Sequence, residues 1–288
     1  MKQIVVGLAA FISLNAHAVT GSGYVTNELN TQNHLAATGQ LIAYESDSFY
    51  VTNTCSGVFV SPSIFLSAGH CYRTMNNCVA TVPYTKKIFN YSFDGNWNHA
   101  PGDYIPRIKT AIDSKNCLKL KAVSRHPMYS YDKETGITSF DISVYELENS
   151  SDRVNHFVQI SLSRPEIGNT LMYVGYGDGD YGSDSKVFGR NLIAKISATY
   201  DLISFSLLSK EYPYVKNIEG NSTTNVGDSG GPVFNENGTA LIGLIKGGGD
   251  FREFLKKKKH QALSENLNNP NIVEFLTELK NSGKDIRF

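Results

Sequence analysis

Residues 227–232 read Gly227-Asp228-Ser229-Gly230-Gly231-Pro232, a serine set in a cage of glycines. Upstream lies Leu66-Ser67-Ala68-Gly69-His70-Cys71, and between the two lies Phe140-Asp141-Ile142-Ser143-Val144. A histidine, an aspartate and a serine therefore follow one another along the chain, each in a tight local context. Each residue type supplies something that acyl transfer needs. Serine is a poor nucleophile until an adjacent base takes its proton. Histidine is that base, and a buried aspartate fixes its tautomer and steadies the imidazolium. Glycines let the backbone turn sharply, so that two N–H groups can point at one oxyanion. The candidate catalytic residues are thus His70, Asp141 and Ser229. Asp113 and Asp132 are weaker rivals to Asp141, because neither opens an apolar run. His126 reads as a structural loop residue.

The remaining features bound what such a chain can be. Its 288 residues suffice for one large β domain or two smaller ones. Hydrophobic residues make up 41 % and charged residues 19 %, which permits a packed core and argues against disorder. Lys+Arg and Asp+Glu both number 27, a balance that gives no reason to expect nucleic acid or an anionic membrane as partner. The start reads as an export signal over residues 1–18. Lys2 is the positive end, residues 4–14 form a short apolar run, and Ala16-His17-Ala18 is the cleavage site, leaving Val19 first. That run is too short to span a bilayer, so the mature chain is expected to be secreted and free of the membrane. Four cysteines suit an oxidising compartment. Metal-site spacings such as C-x-x-C or H-E-x-x-H are absent, and the seven histidines are scattered, so neither metal nor organic cofactor is expected.

Strand-like runs dominate: 35–44, 56–60, 64–67, 142–147, 170–175, 202–208 and 240–245 are rich in β-branched or aromatic residues and bounded by turn formers. Helical periodicity is clear only near the end. There Asn269-Pro270-Asn271 precedes a stripe of Ile272, Val273, Phe275, Leu276 and Leu279. The long stretch 72–138 reads as surface loops grafted onto the first half, and the lysine run 256–259 as a solvated loop.

The motifs resemble those of the chymotrypsin/trypsin family of serine endopeptidases. Cys55-Ser56-Gly57-Val58-Phe59-Val60 looks like the strand leading to the histidine, and Ser67-Ala68-Gly69-His70-Cys71 like T-A-A-H-C with one small residue exchanged. His126-Pro127-Met128-Tyr129 is similar to the H-P-x-Y element before the aspartate, and residues 141–147 to D-I-A-L-L-x-L. Val174-Gly175-Tyr176-Gly177 resembles the turn that opens the second barrel. The resemblance implies an all-β fold of two six-stranded antiparallel β-barrels with a C-terminal helix. The first barrel would cover about 30–155, the second about 156–265 and the helix about 270–281, within a peptidase domain of 19–288. It implies a Cys55–Cys71 disulfide, which leaves Cys78 and Cys117 for each other. It also implies the N–H groups of Gly227 and Ser229 as the oxyanion hole.

Two departures bear on specificity. Where the family places a cysteine four residues before the serine, this chain has Asn225. Where trypsin-like enzymes carry the pocket aspartate, it has Thr223, so recognition of Arg or Lys is disfavoured. Lys246 and Gly248 align with the strand that lines the pocket. Ser222-Thr223-Thr224 and residues 232–236 look similar to the glutamyl endopeptidase branch, as does a valine start, but Ile245 stands where that branch has a histidine. Asp228 matches the family aspartate that pairs with a freed α-amino group, for which Val19 is the simplest candidate and a start between Gly21 and Leu35, after removal of a short propeptide, the competing one. The resemblance thus implies a secreted serine endopeptidase acting on protein or peptide substrates and open to protein inhibitors. The alternative is a catalytically silent homologue serving as an adhesin or regulatory binding module.

Overall fold

The structure, a computed structural model, describes residues 23–24, 29–47, 51–80, 110, 113–114, 116–134, 136–149, 152–177, 186–207, 220–225, 227–249 and 259–288. The expected export signal, Val19 and most of the lysine run lie outside these residues.

Sixteen strands are described. The first nine are β1 (Gly23–Tyr24), β2 (Thr38–Tyr44), β3 (Val51–Phe59), β4 (Ile64–Ser67), β5 (Asn76–Ala80), β6 (Leu118–Arg125), β7 (Ser130–Tyr131), β8 (Thr138–Ser139) and β9 (Ser143–Leu147). The others are β10 (Thr170–Gly175), β11 (Val187–Leu192), β12 (Lys195–Ile196), β13 (Leu202–Leu207), β14 (Pro232–Asn235), β15 (Leu241–Gly249) and β16 (Lys259–Asn266). Strands β2, β3, β4, β9, β6 and β5 close in that order into a six-stranded antiparallel barrel. Inside it, Leu41, Phe59, Phe65, Val79, Leu120 and Tyr145 pack together.

The second sheet runs β1-β11-β10-β14-β15-β16-β13-β12. Its two far strands are consecutive in sequence. β11 pairs with β10, and after two intervening residues β12 pairs with β13, so β11 and β12 are arms of one bent strand. Counted so, six strands curl back on themselves, with β1 as an added edge. Where β11 and β13 meet, no ladder forms. Instead the buried Asn191 amide donates to the Ser206 hydroxyl at 3.0 Å and to the Ser222 carbonyl at 2.7 Å, satisfying groups that the open seam would orphan.

The two barrels share a core. Val58, Ile64, Leu66 and Val144 of the first meet Met172, Val174, Phe234 and Leu244 of the second. The C-terminal helix Pro270–Asn281 seals it with Ile272, Phe275 and Leu276. Its start is legible in the sequence. Pro270 occupies the first turn, where no N–H is needed, and the Asn269 side chain accepts from the Asn271 N–H at 3.1 Å. Among the described residues no helix is long and apolar enough to cross a membrane.

Some expected strands shift. The run 35–44 begins as a helical turn, Asn33–Ala36, before β2. β3 reaches back to Val51, and β15 forward to Gly249. β5, β6, β11, β14 and β16, with the two-residue strands β1, β7, β8 and β12, have no counterpart among the expected strands. β16 buries Gln261, Ser264, Glu265 and Asn266, and such inward polar residues erase the alternation by which a strand is read.

Candidate active site

His70 sits on a single 3-10 turn, Gly69–Cys71, at the end of β4. A disulfide between Cys71 and Cys55 pins that turn to β3, and a second disulfide joins Cys78 to Cys117. Gly69 leaves room that a methyl group would lack: a Cβ there would lie 2.9 Å from the Tyr129 ring. Cys55, His70 and Cys71 cluster in space, but both sulfurs are in the disulfide, so the group is not a metal-ligand set.

Asp141 is fully buried and precedes β9. Its Oδ1 accepts the His70 main-chain N–H and its Oδ2 lies against His70 Nδ1, both at 2.8 Å. The Thr138 hydroxyl donates to Oδ2 at 2.7 Å. Burial opposes the charge, but the hydrogen bonds from His70 and Thr138 outweigh it and hold the carboxyl below its ordinary range. The residue before it, Phe140, has φ 51°, in the left-handed region that a bulky side chain avoids. Its ring stacks on His126 at 4.9 Å. His126 Nδ1 accepts the Met128 N–H, so Nε2 carries the proton and donates to the Asn271 carbonyl at 3.2 Å. Burial pushes the His126 pKa down. His126 therefore braces the loop that presents Asp141, the structural part expected of it.

The Ser229 loop docks against the first barrel. The Ser56 N–H donates to the Ser229 carbonyl at 2.8 Å, and that carbonyl lies 3.8 Å from Cys71 Sγ, one residue from His70. Two glycines make the approach possible. Gly230 has φ 80°, and a Cβ on it would lie 2.1 Å from Ser67 Oγ; Gly227 has φ 90°. The Ser56 hydroxyl donates to the Gly227 carbonyl and accepts the Tyr176 N–H, both at 2.8 Å. Ser229 and His70 are each half-buried, within reach of solvent.

The buried Asp228 accepts from Gly177 N–H at 2.8 Å and from Asn225 N–H at 3.0 Å. Gly175 is required beside it, since a Cβ there would lie 2.1 Å from Asp228 Oδ1. Val19 falls outside the described residues.

Thr223 is buried, with its hydroxyl 2.7 Å from His260 Nδ1 on β16. Next to it, the Thr224 hydroxyl finds no hydrogen-bond partner among the described residues. Gly248 lies on β15. Lys246 lies on β15, the strand it was aligned with, and its ammonium turns inward: it is 3 % exposed and points to Asp201 Oδ1 at 2.7 Å and Glu265 Oε2 at 3.5 Å. Burial opposes its charge, but the Glu265 and Asp201 carboxylates outweigh that and hold its pKa above the ordinary lysine range. Thr138, His260, Asp201 and Glu265 escaped sequence reading because none carries a local motif, and Ser56 was read only as part of a strand. Ser56 meets Gly227 only across 171 positions.

The sequence profile of the Trypsin family matches residues 30–254. In fold the chain is similar to neuropsin, a serine protease expressed in the limbic system of mouse brain. The TM-score is 0.56 at 15 % identity, covering 92 % of this chain and 100 % of that one. No protein of curated function matches the sequence. With the profile spanning well over half of its length, the chain belongs to the trypsin family.

Proposed function

We propose that this chain is an exported serine endopeptidase whose triad is His70, Asp141 and Ser229. The observation that carries the reading is the His70–Asp141 pair, formed through both carboxylate oxygens and set one residue from the disulfide sulfur that touches the Ser229 carbonyl. An ionised Asp141 only accepts, so His70 Nδ1 holds the proton and Nε2 keeps its lone pair. Nε2 takes the Ser229 hydroxyl proton as Oγ attacks the peptide carbonyl carbon. The N–H groups of Gly227 and Ser229 stabilise the oxyanion. The tetrahedral species expels the amine, which receives the proton from His70. Water, deprotonated by the same imidazole, then releases the acid and frees Ser229.

Residues 1–18 serve as the export signal, 19–288 as the peptidase domain, and the α-amino group of Val19 as the activating partner of Asp228. Protein or peptide substrates bind with a side chain facing Thr223, whose neutrality disfavours Arg and Lys. The purified wild type should label stoichiometrically with a fluorophosphonate and cleave a peptide library, and Ser229→Ala should do neither while folding normally. An unlabelled, inactive wild type would mean a silent binding homologue.

A further inference from the structure

A second group of charged side chains adjoins the main chain of Asp141. Glu265, on β16, is 1 % exposed, and its Oε2 accepts the Asp141 backbone N–H at 2.7 Å. Lys246, on β15, places Nζ 3.5 Å from that same oxygen and 2.7 Å from Asp201 Oδ1. The other Asp201 oxygen is held by the hydroxyls of Thr199 at 2.9 Å and Ser197 at 3.3 Å. A continuous chain of polar contacts thus runs from the surface turn at 197–201, through the buried Asp201, Lys246 and Glu265, to the backbone of Asp141.

A carboxyl so placed is costly. It has left water, and the ammonium beside it sits closer to Asp201. An apolar side chain of similar size would fill the space without that cost, so packing alone does not account for it. The backbone it grips does. The peptide that enters Asp141 leaves Phe140, which is held at φ 51°. A bulky residue in that region persists only where its surroundings over-determine it. On one side the Phe140 ring is clamped against His126. On the other, the N–H of the next residue is clamped by Glu265. The aspartate side chain is then free to meet His70 and Thr138.

We propose that Glu265 is a positioning residue for the triad aspartate, held by Lys246 and Asp201, fixing the Asp141 main chain and through it the orientation of the His70 imidazole. This rests on the triad reading above. It gives Lys246 the task of anchoring Glu265.

Three variants in the full exported chain test it, each checked for folding by its thermal transition. Glu265→Leu removes the acceptor, Glu265→Asp keeps the charge but withdraws it by one methylene, and Glu265→Gln keeps a neutral acceptor in reach. Leu and Asp should each lower kcat by about 10- to 100-fold with KM within about twofold, as expected of a misplaced catalytic group. Gln should restore most of that loss. If Leu fails to fold, the contrast between Asp and Gln decides. Wild-type kcat in the Leu and Asp variants, equal losses in all three, or a loss confined to KM would overturn the proposal. A wild type that neither labels with fluorophosphonate nor cleaves peptides would overturn the triad reading and this one together. An active wild type with unaffected variants would overturn this one alone.

Discussion

His70 occupies both oxygens of Asp141, its main-chain N–H on Oδ1 and its Nδ1 on Oδ2, each at 2.8 Å. The double contact fixes the imidazole in position as well as in tautomer, because the turn and the ring are held by one rigid carboxylate. Asp141→Asn puts an amide donor in the set and disturbs that tautomer. It should lower kcat by about 10⁴-fold while the fold persists. Peptide hydrolysis by the purified variant at near wild-type rate would refute the assignment.

Ser56→Ala should both destabilise and slow the enzyme. The hydroxyl bridges the Gly227 carbonyl and the Tyr176 N–H, and its loss leaves both without that partner. The expected cost is about 1–3 kcal/mol, read by denaturant unfolding, with a fall in kcat as the Gly227 loop loosens. Stability and kcat both at wild-type level would show that the bridge carries nothing.

The pH dependence of stability should carry a contribution from Glu265. Burial, with the nearby Asp201 and Asp141 charges, raises its pKa to about 7 from 4.5 against the pull of Lys246. The folded state therefore binds an extra proton between these values. Its stabilising contribution is complete below the unfolded pKa and is lost as pH rises through 7. Glu265→Gln does not titrate, so its stability relative to wild type should climb by about 1–3 kcal/mol between pH 4.5 and 7 and then level off. Melting curves across that range measure it, and a constant difference would mean that Glu265 stays ionised throughout.

Joint replacement of Cys55 and Cys71 by alanine should cost about 2–5 kcal/mol. It frees the His70 turn from β3, so activity should fall at temperatures where the fold still stands. Thermal unfolding together with initial rates tests both halves, and an unchanged melting temperature would contradict the first.

Cleavage should not favour Arg or Lys before the scissile bond. Thr223 is neutral, and its described partner is the His260 ring. A profile over a peptide library is the measurement, and one dominated by basic residues would require a carboxylate from outside the described residues.

Much of the chemistry was legible along the chain because it is local. The turn that carries Ser229 uses positive-φ glycines at 227 and 230, and these announce it. The terminal helix was equally plain, since its cap and its apolar stripe lie within one short span. The family followed from several such segments in order. What no segment contains is a contact between distant stretches of chain. The Ser56 bridge to Gly227, the Glu265 grip on Asp141 and the turning of Lys246 toward Asp201 each join residues far apart in sequence. A lone serine, glutamate or lysine in a strand has no periodicity that reveals its partner. β16 shows the limit most clearly, because its buried polar residues make sense only once Asp141 and Lys246 stand opposite Glu265. Sequence alone therefore named the candidate residues for the chemistry. The tertiary structure decided which groups hold them in place, because a buried charge or hydroxyl is satisfied only by what the fold brings to it.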